Sequence, residues 1–110
     1  MPITHNKQQR TGFLCAIVAQ RFPQAKAHAI ATLVCKARQF AARAERLDDR
    51  ICNGLEENDK GKDRLRAAAD TLAAEFWAAG MSNVSFWIGA GASIILPGPP
   101  GDGQCGGWWL

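Results

Sequence analysis

Four cations recur along one stretch of the chain at a spacing that could hold an anion. Lys36, Arg43, Arg46 and Arg50, set at 100° per residue on a helix, fall within an arc of about 80°. Arginine's planar fork matches phosphate and carboxylate oxygens, so such a ridge would bind phosphates or an acidic protein surface. Glu45, Asp48 and Asp49 are interspersed, and the plainer alternative is a solvated face whose charges relieve one another. Tryptophan is the second candidate, with four in 110 residues and no tyrosine. Trp87 alternates with Phe86, and Trp108 and Trp109 are adjacent, so in strands one of that pair must point away from the core. Trp87 with Trp108 or Trp109 would make an aromatic platform, as at interface hot spots and in base stacking. The plainer alternative has Trp77 and one of the terminal pair closing off the core.

Other chemistry is thinly represented. Cys15, Cys35, Cys52 and Cys105 include no Cys-x-x-Cys pair, so neither a zinc nor a redox motif is signalled. The first three are expected in apolar helical stripes, where a free cysteine acts as a small hydrophobe. Cys105, among glycines, is expected as an exposed thiol. His5 and His28 complete no ligand spacing. No Ser–His–Asp set, carboxylate pair or activated cysteine assembles from these residues. Gly89-Ala90-Gly91 lacks the following helix that a phosphate-binding loop needs, and Gly101-Asp102-Gly103 reads as a turn. The expectation is a non-enzymatic protein with no metal and no cofactor.

The elements that position these residues follow from rhythm. Leu14, Ile17 and Val18 share a face of a first helix, starting at Lys7 or Thr11 and ending near Arg21 ahead of Pro23. From Gln24, the residues Ile30, Leu33, Val34, Ala37, Phe40, Ala41, Ala44, Leu47 and Ile51 advance by threes and fours, which predicts a long second helix. Gly54 supplies its C-cap. Residues 55–62 read as a charged loop, after which Asp63 caps a third helix with the stripe Leu65, Ala68, Leu72 and Phe76, closed by Gly80. From Val84 the rhythm switches to twos. Val84, Phe86 and Ile88 form one face of a strand, residues 89–92 a turn, and residues 93–96 a returning strand. Residues 97–103 are too rich in Pro and Gly for regular structure, and Gly107-Trp108-Trp109-Leu110 adds a short third strand. The fold class is α+β: three helices, then a small antiparallel sheet packed on the Leu65/Leu72/Phe76 stripe.

Length makes this one domain, residues 1–110. Hydrophobic content of 47% with 21% charged residues is that of a globular chain and argues against disorder. The longest apolar runs, 13–19 and 94–97, fall far short of the roughly 20 residues of a membrane span. No apolar segment follows the charged N-terminus, so no secretory signal is evident and the expected location is the cytoplasm. The net charge of +3 is uneven: residues 1–54 carry nine Lys/Arg against three Asp/Glu, and the remainder four against seven. The first half can therefore steer toward an acidic partner, while the total is too small to indicate nucleic acid. The long helix carries more apolar face than its neighbours cover and the sheet has an open edge, so a homo-oligomer is expected.

The segment Arg50-Ile51-Cys52-Asn53-Gly54, then Val84-x-Phe86, Leu96-Pro97-x-x-x-Gly101 and Gly106-Gly107-Trp108 resembles a recurring type of small protein encoded by tailed phages and prophages of proteobacteria. The likeness covers residues 37–110. Relatives usually carry Gly-Asp-Pro-Arg-Gly at the hairpin turn, where this chain has Gly89-Ala90-Gly91-Ala92-Ser93, so no role of those charged residues carries over. What the resemblance implies is an accessory protein that disables a host defence complex by stoichiometric protein contact, an anti-CRISPR being the leading expectation. A sponge for a nucleotide immune signal, a small nucleic-acid-binding regulator and a structural phage component stand as alternatives.

Overall fold

The computed structural model describes residues 7–89, 91–98 and 105–110. Helices α1 (Lys7–Arg21), α2 (Ala27–Cys52) and α3 (Asn58–Ala78) precede strands β1 (Ser85–Gly89), β2 (Gly91–Pro97) and β3 (Cys105–Trp109). The strands form one antiparallel sheet in the order β1-β2-β3. This is the expected α+β arrangement, with the third strand in place.

Pro23 lies in neither α1 nor α2. It occupies the second position of a turn closed by the Ala25 N–H donating to the Phe22 carbonyl at 3.0 Å, a position its fixed φ suits. Lys26 follows in extended backbone, and α2 begins at Ala27. At the other end Gly54 (φ 72°) donates to Ile51 and Leu55 to Arg50, the paired bonds of a Schellman cap. Gly80 (φ 88°) and Met81 close α3 in the same way, on Trp77 and Phe76.

The third helix starts five residues before the expected cap at Asp63, with Glu57 at the N-cap position. The connection is therefore only residues 53–57; of the charges read as loop, Asp59 and Lys60 lie on the exposed first turn of α3, Lys62 is half-buried beside Asp48, and Glu56 and Glu57 stay in the connection. Gly61 lies in that stretch and belongs to α3. Here it is buried against α2, where a Cβ would stand 2.7 Å from Leu47 Cδ1. Close helix contact, not backbone freedom, is what its small size serves.

One core joins both layers. Leu14 and Val18 of α1, the α2 stripe from Ile30 to Leu47, and Leu65, Ala69, Leu72 and Phe76 of α3 meet Ile94 and Leu96 of the sheet. Phe86 packs between helices, its ring 5.7 Å from that of Phe40 and 5.9 Å from that of Phe76. Phe40 thus shares the seam expected for α3 alone. Ile51 and Ala68, expected in the stripes, are half-buried. The hairpin is tighter than expected: pairing continues to Gly89↔Gly91, so Gly91 and Ala92 belong to β2.

The cysteine expectation fails in part. Cys35 and Cys52 are exposed and Cys15 is half-buried; each lies about 100° from the stripe residue before it, Val34, Ile51 and Leu14 respectively. The side chain of Cys105 lies outside the described residues. Burial, with the neighbouring Cys35, pushes the Cys15 thiol above its ordinary pKa, and only the thiolate is nucleophilic. Alkylation at neutral pH should label Cys35 and Cys52 well before Cys15, read by peptide mass spectrometry. A Cys15 that labels first would contradict this packing.

Asp48 fastens three elements together. Its Oδ1 accepts from Lys62 Nζ on α3 at 2.9 Å, and its Oδ2 from the Gly91 N–H at the start of β2 at 3.2 Å. The Lys62 hydrogen bond, aided by the Gly91 amide, holds this carboxyl below its ordinary pKa against the opposing effect of burial. A depressed folded-state pKa gives stability above the unfolded value, near 4, that is lost as pH falls through the folded one. Asp48→Asn should cost about 1 kcal/mol at neutral pH. Thermal melts of the two proteins should converge as pH drops below about 4; a constant gap would show that the charge contributes nothing.

Candidate functional site

Helices α2 and α3 run antiparallel, since Lys36 bonds Glu75 while Asp48 bonds Lys62. Their outer faces leave a groove. Its wider part encloses about 600 Å³ over Phe40, Ala68 and Leu72, with Arg43 and Arg46 on the α2 wall. A narrower recess of about 190 Å³ continues toward the residue 53–57 connection and shares those two arginines.

The four expected cations lie along this groove in different states. Lys36 is held by Glu75 at 2.8 Å, both half-exposed. Arg50 lies 3.6 Å from Glu56. Arg43 and Arg46 are exposed and make no ion pair among the described residues. The acids that seemed able to relieve the ridge do not reach these two. Asp48 points instead to Lys62 and the hairpin. Two guanidinium forks beside an apolar floor can each pair with two carboxylate or phosphate oxygens.

Two members of the site were not evident in the sequence. Arg64 and Glu56 pair with one another at the recess. Glu56 lies in the connection and Arg64 on α3, so only the packing of α3 on α2 brings them to the Arg50 end of the groove.

The tryptophans are sorted by strand register. Trp87, Ser93 and Trp109 face one another across the sheet, on the side away from the helices. Trp87 and Trp109 are 54% and 57% exposed. Their rings touch edge to face at 6.1 Å and cover Ser93 between them. The Trp87 indole lies over Gly89, where a Cβ would come within 2.2 Å of it. Trp108 turns inward opposite Ile94 and packs edge-on against Phe13 at 6.0 Å, so it is not part of the platform. Trp77 is 68% exposed on α3 rather than closing the core. Arg10 secures this end of the sheet to α1, donating to the Trp109 carbonyl and lying over the Phe13 ring at 5.4 Å.

No tryptophan lines the cationic groove, so the two candidate surfaces are separate. Among the described residues no group of three or more His, Cys, Asp or Glu could hold a metal ion, and no helix is long and apolar enough to cross a membrane.

Fold and site together define an α+β protein with a cationic interhelical groove on its helical layer and an aromatic patch on its sheet. Comparison with known protein families, with characterised proteins and with solved structures finds no match to this chain.

Proposed function

We propose that this protein acts by stoichiometric binding and that its α2/α3 groove receives an acidic protein surface. The observation that carries this is the placement of Arg43 and Arg46 over Phe40 and Leu72, exposed and without an ion pair among the described residues. Cationic forks beside apolar surface are the composition of interface anchors, where arginine is enriched. The half-exposed Lys36–Glu75 pair at the groove's edge can exchange partners at little cost, because such surface pairs contribute only about 0–1 kcal/mol.

Blocking a bacterial defence complex, the role implied by the phage-protein resemblance, is one use of such a surface. Two assays separate the general reading from this specific one. Immobilised protein should retain an acidic partner from bacterial lysate at low salt and release it as salt rises. Expression in cells carrying an active CRISPR system should protect a targeted plasmid. Retention without protection against any CRISPR type removes the defence role and keeps the groove; absence of retention removes both. The nucleotide-sponge alternative joins arginine-held phosphates to a stacking tryptophan, and in this fold those residues lie on separate surfaces.

A further inference from the structure

The narrow end of the groove already holds a carboxylate of the chain's own. Glu56 lies in the residue 53–57 connection, and its charged side chain is only 16% exposed. One carboxylate oxygen accepts from Arg64, and the other lies 3.6 Å from Arg50 Nη2. Arg43 and Arg46 line the same recess, which is backed by Leu47, Gly61 and Leu65. Two guanidinium groups therefore hold this carboxylate, and two more line the recess without an ion pair among the described residues. The recess lies near the N-terminal end of α3, where the helix dipole favours an anion. The residue at the N-cap position, Glu57, makes no side-chain capping bond.

We propose that this recess is an oxyanion site of the phosphoryl class, in which Glu56 is a resident competitor that the ligand displaces. The proposal rests on the groove being an anion-receiving surface and names what its narrow end takes. Charge arithmetic selects the ligand. Exchanging Glu56 for another carboxylate would replace one single charge by an equal one, with no electrostatic gain. A phosphoryl group brings close to two negative charges and three acceptor oxygens. It can take the parallel N–H pairs of Arg43 and Arg46, which have no ion-pair partner among the described residues, as well as those of Arg50 and Arg64. Glu56 can leave because it sits on the connection and not within a helix. Released, it carries its charge into water.

The test titrates inorganic pyrophosphate by calorimetry into the wild type, Glu56→Gln and Arg46→Ala, at low and high salt, with thermal melts to establish that each is folded. Removing the competing charge should tighten pyrophosphate binding about tenfold in Glu56→Gln, and losing a fork should weaken it about tenfold in Arg46→Ala. In the wild type, the Glu56 and Gly61 amide resonances should shift on pyrophosphate addition, a readout that needs no variant. Unchanged or weaker binding in Glu56→Gln, or unmoved resonances, overturns the displacement. A polyglutamate peptide that binds where pyrophosphate does not would end the oxyanion assignment and leave the acidic-surface reading standing. Failure of both probes ends both.

Discussion

Phe76→Ala should lower the stability of this protein by about 3–5 kcal/mol, the range for emptying a buried phenylalanine site. Phe76 has no exposed surface, and its ring meets Phe86 at 5.9 Å where α3 carries the sheet. It is also the residue whose carbonyl accepts from Met81, a side chain with no exposure. The cavity would therefore open beside the cap that turns the chain from helix to strand. Domains of this size are stable by only about 5–15 kcal/mol, so the variant should melt roughly 12 °C or more below the wild type. Urea unfolding followed by circular dichroism measures this. A loss under about 1 kcal/mol would mean that the helix–sheet seam lies elsewhere. Phe13→Ala offers the contrast: its ring is 48% exposed against Trp108, and it should cost far less.

That seam was legible in the sequence because periodicity reports burial directly. Eight of the nine apolar positions named for the long helix are buried, Ile51 being half-buried, since a stripe repeated over about six turns leaves one phase. Short elements leave more than one. Phe86 and Ile88 identify the inward face of β1, with Val84 buried just ahead of the strand, but the far end of the hairpin is misplaced. Gly91 and Ala92 carry no side-chain signal that distinguishes a turn from a strand. Only backbone pairing across Gly89↔Gly91 does so. For Trp108 and Trp109 the alternation required one to face outward without saying which, and the Ile94↔Trp108 register decides it.

The candidate site divides along the same line. Lys36, Arg43, Arg46 and Arg50 share an arc that sequence alone defines, because all four are on one helix. Which of them is already paired depends on α3, and hence on where α3 begins. Gly61 lies in the stretch that reads as loop, yet in space it is a helix contact, with Leu47 where a Cβ would stand. The pairing of Glu56 with Arg64 and Arg50 is a contact between elements that no single-helix spacing reports, and it sets Arg50 apart from Arg43 and Arg46. The tryptophans failed for a different reason. Trp77, at 68% exposure, shows that aromatic character near a core stripe does not fix which side of the helix a ring occupies.

Reversing Arg43 and Arg46 together to glutamate should reduce retention of an acidic partner at least a hundredfold while leaving stability within about 0.5 kcal/mol of the wild type. Neither arginine has an ion pair among the described residues that the change would break. Both are exposed, so the folded state loses little. The partner faces a groove whose two forks have become repulsive, between Glu75 at one end and Glu56 at the other. Lys36→Ala should have a smaller effect, because that ammonium is already shared with Glu75 at 2.8 Å. Arg66→Glu is the control for overall charge: Arg66 pairs with Asp63 at 3.1 Å and lines neither part of the groove. Surface plasmon resonance at two salt concentrations distinguishes the cases. If Arg66→Glu weakens binding as much as either groove reversal does per charge, attraction is diffuse and the groove selects nothing. If the groove pair alone abolishes binding, and the salt dependence falls with it, the contact is local, and Arg43 and Arg46 are where the partner's carboxylates sit.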